Sequence, residues 1–148
     1  MSDKQKLCEG LEKFIKDYEI QKEGEYLVFY KTVSKEYGSL WMRRRLGMET
    51  WRGATIRERG VKNVYIVNRT VQTNDYSVNR RNRCGKGVHI CTLEEAKEYK
   101  KCIYFNCYDR GRKIMKVLVK PEDIVCVPFH NNGKIRAKKI YVVGEIKK

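Results

Sequence analysis

The chain has 148 residues, 41% of them hydrophobic and 11% aromatic, with 33 Lys and Arg against 18 Asp and Glu for a formal charge of +15. That length is one ordinary domain able to bury a real core. No apolar run reaches the roughly 18–20 residues that a membrane-spanning helix needs, and MSDKQKLCEGLEK at the start has no apolar secretory segment, so the expected setting is intracellular and not secreted. The positive field attracts polyanions: nucleic acid, an anionic membrane or an acidic protein surface. The six cysteines are expected as free thiols in a reducing compartment. Cys102, Cys107 and Cys126 sit in apolar, strand-like contexts where a thiol packs as a small hydrophobe.

In chain order, Asp3 to Lys22 has Leu7, Leu11, Phe14, Ile15 and Tyr18 at helical spacing, with Ser2 or Asp3 to cap its start and Gly24 beyond its end. Its apolar stripe predicts packing on a sheet. Glu25 to Val33 reads as a strand apolar on both faces, hence central in its sheet. Ser34 to Gly60 has no clean period, Val61 to Asn68 returns to a strand pattern, and Arg69 to Arg83 is polar with turn signals. Residues 40–83 form a basic Arg/Trp segment. From Arg43 to Arg83 there are ten Arg and one Lys against Glu49, Glu58 and Asp75, a local excess of eight.

Asn79 to Tyr99 concentrates the chemistry, and residues 84–148 form a strand-rich core. GVHIC is a strand in which His89 and Cys91 share one face and Val88 and Ile90 the other. Thr92 and Glu95 make a capping box for a short helix with Leu93, Ala96 and Tyr99 on its apolar side. Strands follow at Cys102 to Cys107, Lys113 to Lys120, Ile124 to Phe129 and Ile135 to Ile146. They are divided by Asp109-Arg110-Gly111, Pro121-Glu122-Asp123 and the hairpin signal Asn131-Asn132-Gly133-Lys134. The pattern predicts a single α+β domain with a mainly antiparallel sheet, an N-terminal helix over 1–23 and a short helix after the G-x-H-x-C strand.

Three chemistries are available. Cys84, His89 and Cys91 are soft ligands that suit zinc, with Cys102, Cys107 or the pair Cys126 and His130 to complete a set, but their spacing is not that of a zinc ribbon. A buried His89 bonded to backbone is the competing reading, and no metal or other cofactor is expected. Cys91 at a helix start, with His89 as base, would make a nucleophile only with convergent geometry. The third chemistry is anion binding. Arg43, Arg44, Arg45, Arg52, Arg80, Arg81 and Arg83, with Lys86 in a glycine-flanked turn, present forks that match phosphate, and Trp41 and Trp51 offer stacking surfaces. The alternative is that the two tryptophans are core and the arginines a solvated face.

Cys84, Gly87, His89 and Cys91, in the pattern C-x-x-G-x-H-x-C, resemble the C-terminal domain of the rIIB-type rapid-lysis proteins of T-even phages. The likeness extends over Gly24 through Val33, over Lys116, Val117, Val119, Pro121, Asp123, Val125 and Val127-Pro128, and over Lys134 to Val143. Similar stretches occur in uncharacterised domains of large DNA viruses. The basic insertion containing Trp41 and Trp51 departs from the phage pattern. The resemblance implies a viral accessory or virion-associated protein in the host cytoplasm or virion interior, with Gly87, His89, Cys91, Pro121 and Asp123 as structural motif residues. It supplies no catalytic residue. A fainter likeness to ADP-ribosyltransferase-like folds lies in a Tyr/Lys strand, a Gly-x-His strand and an Ala-bearing helix in that order, with Glu122 and Glu145 as acids by position alone. The expectation is therefore a non-catalytic binder of nucleic acid. An enzyme of that transferase-like fold and a minor virion protein contacting viral structural proteins are the alternatives.

Overall fold

The structure is a computed structural model that describes residues 7–33, 37, 65–82, 85–101 and 112–146. Trp41, Arg43, Arg44, Arg45, Trp51, Arg52, Arg83 and Cys84, the expected strand from Cys102 to Cys107 and the caps Ser2 and Asp3 lie outside the described residues.

Helix α1 spans Leu11–Asp17, shorter than the periodicity suggests. Gly10, at φ 88, starts it from a left-handed conformation that a side chain resists. Its end is a Schellman motif: Glu19 is left-handed at φ 52, its N–H donates to Lys16 O, and the Ile20 N–H reaches Ile15 O. Gly24 serves a different purpose from the expected helix stop. At φ 66 it turns the two-residue loop between β1 (Lys22–Glu23) and β2 (Tyr26–Val33), which pair as a hairpin.

The remaining strands are β3 (Thr70–Gln72), β4 (Val88–Cys91), β5 (Lys113–Val119), β6 (Ile124–Cys126), β7 (Lys134–Ala137) and β8 (Lys139–Glu145), with α2 (Leu93–Lys101) after β4 and a 3-10 turn at Pro121–Asp123 after β5. They form one antiparallel eight-stranded sheet in the order β3-β8-β5-β2-β4-β7-β6, with β1 beside β2. The central position expected for β2 is found.

Three expected strands differ. Of the strand expected over Val61 to Asn68, residues 61–64 lie outside the described residues, and 65–68 are not strand but end in a turn at Val67 and Asn68, Asn68 being left-handed at φ 65; a strand comes afterwards at Thr70, on residues polar enough to read as loop. The strand from Ile124 stops at Cys126, short of Phe129. Ile135 to Ile146 is two strands with Lys138 between them.

That last division shapes the molecule. One intervening residue leaves the ends of β7 and β8 at most about 7.6 Å apart. Three strands lie between them in the sheet order, which in a flat sheet would separate them by about 19 Å. The sheet must therefore coil until β8 and β7, each one strand in from an end, meet through Lys138, as in a small barrel. Irregular registers in β5–β8, at Lys116/Val117, and in β6–β7, between Ile124 and Cys126, sharpen the coil. At the junction the Lys138 N–H extends the β6–β7 ladder to Asp123 O at 2.8 Å, and Lys138 O accepts the Thr73 N–H at 2.9 Å beside β3.

Alternate residues of the strands fill the interior: Leu27, Phe29 and Val33, Val88 and Ile90, Met115, Val117 and Val119, Ile140 and Val142. Leu11 and Phe14 of α1 join this cluster. Each such side chain contributes about 1.5–3 kcal/mol on burial. Helix α2 covers a second, smaller cluster of Cys91, Ala96 and Ile114 with Tyr30, Leu93 and Tyr99. The Thr32 hydroxyl, donating to Ala96 O at 2.6 Å, pins the helix to β2.

Candidate nucleic-acid interface

The loop between β3 and β4 carries the described arginines of the central stretch, and it is shaped from inside by Arg136 on β7. Arg136 is fully buried. Its guanidinium donates from Nε to Ser77 O at 3.0 Å, from Nη2 to Asn79 O at 2.8 Å and to Cys126 Sγ at 2.9 Å, and from Nη1 to Asn82 O. One rigid fork thus gathers three backbone carbonyls. The glycines of the central stretch make room for it. A Cβ on Gly85 would stand 3.2 Å from the Arg136 guanidinium, and Gly87 combines φ 135 with a 3.4 Å approach to Arg136 Cβ. Gly87 therefore serves the turn assigned to it, and also admits an arginine that the alternation of β7 gave no reason to bury.

Held in this way, the loop places Arg80 against the β6–β7 connection. Arg80 Nε donates to Val127 O at 2.8 Å, its guanidinium lies 4.3 Å from the Phe129 ring centroid, and its Nη1 is 3.5 Å from Glu9 Oε2. A Cβ on Gly10 would meet Arg80 Nη2 at 2.5 Å, so the loop also abuts the start of α1. Arg81 is exposed. Lys86 is half-exposed, with Asp75 Oδ1 at 3.6 Å. Phe129, 58% exposed, and Val78 are apolar groups open to solvent on the two segments that meet here. Arg80 is thus a buttress as well as a surface cation, while Arg81 and Lys86 face outward.

His89 and Cys91 lie on the face of β4 that the alternation predicts, opposite Val88 and Ile90, and both are buried. His89 Nε2 is 2.6 Å from Gly85 O. Since a carbonyl only accepts, Nε2 carries the proton, so that nitrogen has no lone pair for a metal. The bond is to a local backbone carbonyl, as the reading of a buried His89 bonded to backbone expects. Burial, with Lys134 and Lys31 nearby, holds His89 well below the ordinary imidazole range. Cys91 Sγ donates to Tyr30 O at 3.5 Å, and burial pushes its thiol up to about 12, the reverse of the activation a helix start could give. The helix start is real: Thr92 Oγ1 accepts the Glu95 N–H at 3.2 Å, and the Thr92 N–H donates to Gly133 O at 2.9 Å. Among the described residues no group of three His, Cys, Asp or Glu could hold a metal ion. His89→Ala is expected to lower stability by about 1–3 kcal/mol through the lost buried bond, read by chemical denaturation, with oligonucleotide affinity unchanged per folded molecule.

Lys31 was not singled out by sequence, although it lies in a strand expected to be covered on both faces. It is buried, donates from Nζ to His89 O at 2.8 Å and lies 5.0 Å from the Tyr65 ring centroid. The β2–β4 ladder has a single registered pair, Tyr30 with Cys91, and the Lys31 ammonium bridges the strands beside it. Desolvation pulls its pKa down to about 7.

A second surface lies on the sheet itself. A cleft of about 190 Å³ is lined by Tyr26, Thr70, Leu118, Lys120, Asp123, Lys139 and Tyr141, among others. The registers Thr70↔Tyr141↔Leu118↔Val28 make one row across four strands, on the face opposite the interior residues Val117 and Val119. Pro121 and Asp123, noted as motif residues, belong to the turn at its border. The signal for this surface lay in tyrosines at alternate positions of Tyr26–Val33, Tyr26 and Tyr30, and in Lys139 and Tyr141 at alternate positions of Lys139–Glu145. Compared with known proteins, the chain matches no family model, no curated protein and no solved structure.

Proposed function

We propose that this protein binds nucleic acid without catalysis, as a basic accessory or virion-associated protein of a virus. The observation that carries the reading is the preformed loop of Ser77–Asn82. An internal arginine fixes its backbone, Arg80 is seated on an exposed phenylalanine, and Arg81 points to solvent. A loop already ordered costs little entropy to bind. It ends the stretch from Arg43 to Arg83 whose excess of eight positive charges favours a phosphate backbone. The viral setting is supported by the resemblance at Gly87, His89 and Cys91, which in this fold form the turn and strand beneath that loop. His89, neutral with its proton on Nε2, and Cys91, kept as a thiol, are both buried and favour a structural part for the motif over the transferase-like alternative.

The test is a salt titration. Affinity for a labelled duplex, measured by fluorescence anisotropy, is expected to fall linearly on a log–log plot with a slope near −0.9 for each phosphate neutralised. Arg43, Arg44 and Arg45 replaced together by Glu should flatten that slope, and Arg81→Glu should do so by about one contact. A wild-type protein that binds neither duplex nor single strand at low salt overturns the reading.

A further inference from the structure

The cleft on the outer face of β2, β5, β8 and β3 differs in chemistry from the arginine loop. Two aromatic rings flank an apolar side chain: Tyr26 opens β2, Tyr141 stands on β8, and Leu118 lies between their strands on β5. The Tyr141 hydroxyl donates to Asn68 Oδ1 at 2.8 Å, which fixes the ring while leaving it 36% exposed. Lys120 sits with its ammonium 5.8 Å from the Tyr26 ring centroid and 3.9 Å from Glu25 Oε2, and Lys139 lines the other side. Asp123 also borders the space.

At about 190 Å³ the space is below the roughly 300 Å³ at which pockets for drug-sized ligands begin. It suits one planar ring. The negative charge of Asp123 at its border argues against a phosphate inside, since like charges repel at short range. The two lysines suit phosphates at the rim. Aromatic faces beside cations on an open sheet are the means by which single strands are held, one base per ring. A duplex, whose bases are stacked and paired, cannot deliver a ring to this cleft.

We propose that the cleft takes an unpaired nucleobase of a single strand, with its flanking phosphates on Lys120 and Lys139. The inference rests on the nucleic-acid reading above and adds to it the form of the ligand. The protein should prefer a single strand to a duplex of equal length at the same salt, and the preference should reside in Tyr26 and Tyr141.

The experiment compares a fluorescein-labelled oligodeoxycytidine with a duplex of the same length, in the full chain. Tyr26→Leu and Tyr141→Leu keep apolar bulk but remove the flat ring, and each is expected to weaken single-strand binding about tenfold while leaving duplex binding unchanged. Tyr26→Phe keeps the ring and should keep the affinity, which separates stacking from loss of fold. Photocrosslinking with a single iodinated pyrimidine in the strand should label Tyr26 or Tyr141. If the leucine variants bind the single strand as the parent does, or the crosslink maps only elsewhere, the cleft assignment is wrong although the nucleic-acid reading survives. If the parent binds neither probe at low salt, both fall.

Discussion

Replacing Arg136 by Leu should cost about 3–5 kcal/mol of folding stability, among the largest losses any single change in this chain would give. Leucine restores some apolar volume but leaves the carbonyls of Ser77, Asn79 and Asn82 without the donors they have now. A buried polar group stripped of its partner costs about 1–3 kcal/mol, and the loop can recover part of this by turning toward water. Total stability of an ordinary domain is about 5–15 kcal/mol, so the variant would sit near the edge of folding. Chemical denaturation measures the loss. Amide exchange at Ser77 and Asn82, whose N–H groups bond Lys86 O and Asn79 O, should speed up before the rest of the sheet does. Arg136→Lys should fare little better, because an ammonium lacks the planar fork that reaches all three carbonyls. A near-neutral Arg136→Leu would show that the loop holds itself.

The second large effect is on the pH dependence of stability. Lys31 releases its proton near 7 in the fold, against the ordinary 10.5. Between those values the unfolded chain carries one proton more than the folded one, so stability rises with pH there. The full difference is about 4–5 kcal/mol at about 1.36 kcal/mol per pH unit. His89, held low, adds a rise in the same direction as pH climbs toward its ordinary 6.5. The thiols oppose this. Cys91, Cys8 and Cys126 are all raised above their ordinary 9.0, so above pH 9 the unfolded chain loses protons that the fold keeps, and stability falls. The expected profile climbs from acid, peaks at about pH 8–9 and declines beyond. Lys31→Met should raise stability at pH 7 and below and remove most of the climb above pH 7, less the cost of the bond to His89 O. Thermal denaturation at a series of pH values checks both. A parent protein most stable at pH 6 would mean that Lys31 stays charged in the fold.

The local elements were legible where one face or one turn decides them. Leu11 and Phe14 gave α1 its buried side, Thr92 capped α2, and Val88 and Ile90 set the facing of His89 and Cys91. What failed were the features that depend on distant chain. Lys138, in Arg-Ala-Lys-Lys-Ile, has no glycine or proline beside it, so nothing local marks the break between β7 and β8. Thr70–Gln72 is an edge strand, exposed at both ends of its three residues, and polar for that reason. Arg136 lies in an alternating strand whose outward positions read as solvated. It is buried only because the Ser77–Asn82 loop folds over it. Lys31 was the opposite case. A strand covered on both faces admits no exposed position, so its burial followed from a premise already in hand. Of the expected phosphate contacts, Arg80, Arg81 and Lys86 fall among the described residues. Arg80 proves to be shared between the loop, Phe129 and Val127.

The kink at Lys138 has a consequence for the order in which this molecule can be made. β4 finds its neighbour β7, and β5 and β3 find β8, only when residues 134–145 are present. During synthesis the ribosome releases those residues after every other strand. Until then β2 can pair with β5, but β3 and the outer side of β4 have nothing to bind. The earlier strands must wait, with open edges, for one late ribbon that completes both sides at once. Such pairing across long stretches of chain is slow, and open edges in the interval invite pairing between molecules. Refolding yield should therefore depend on protein concentration far more steeply than on the stability of the finished fold.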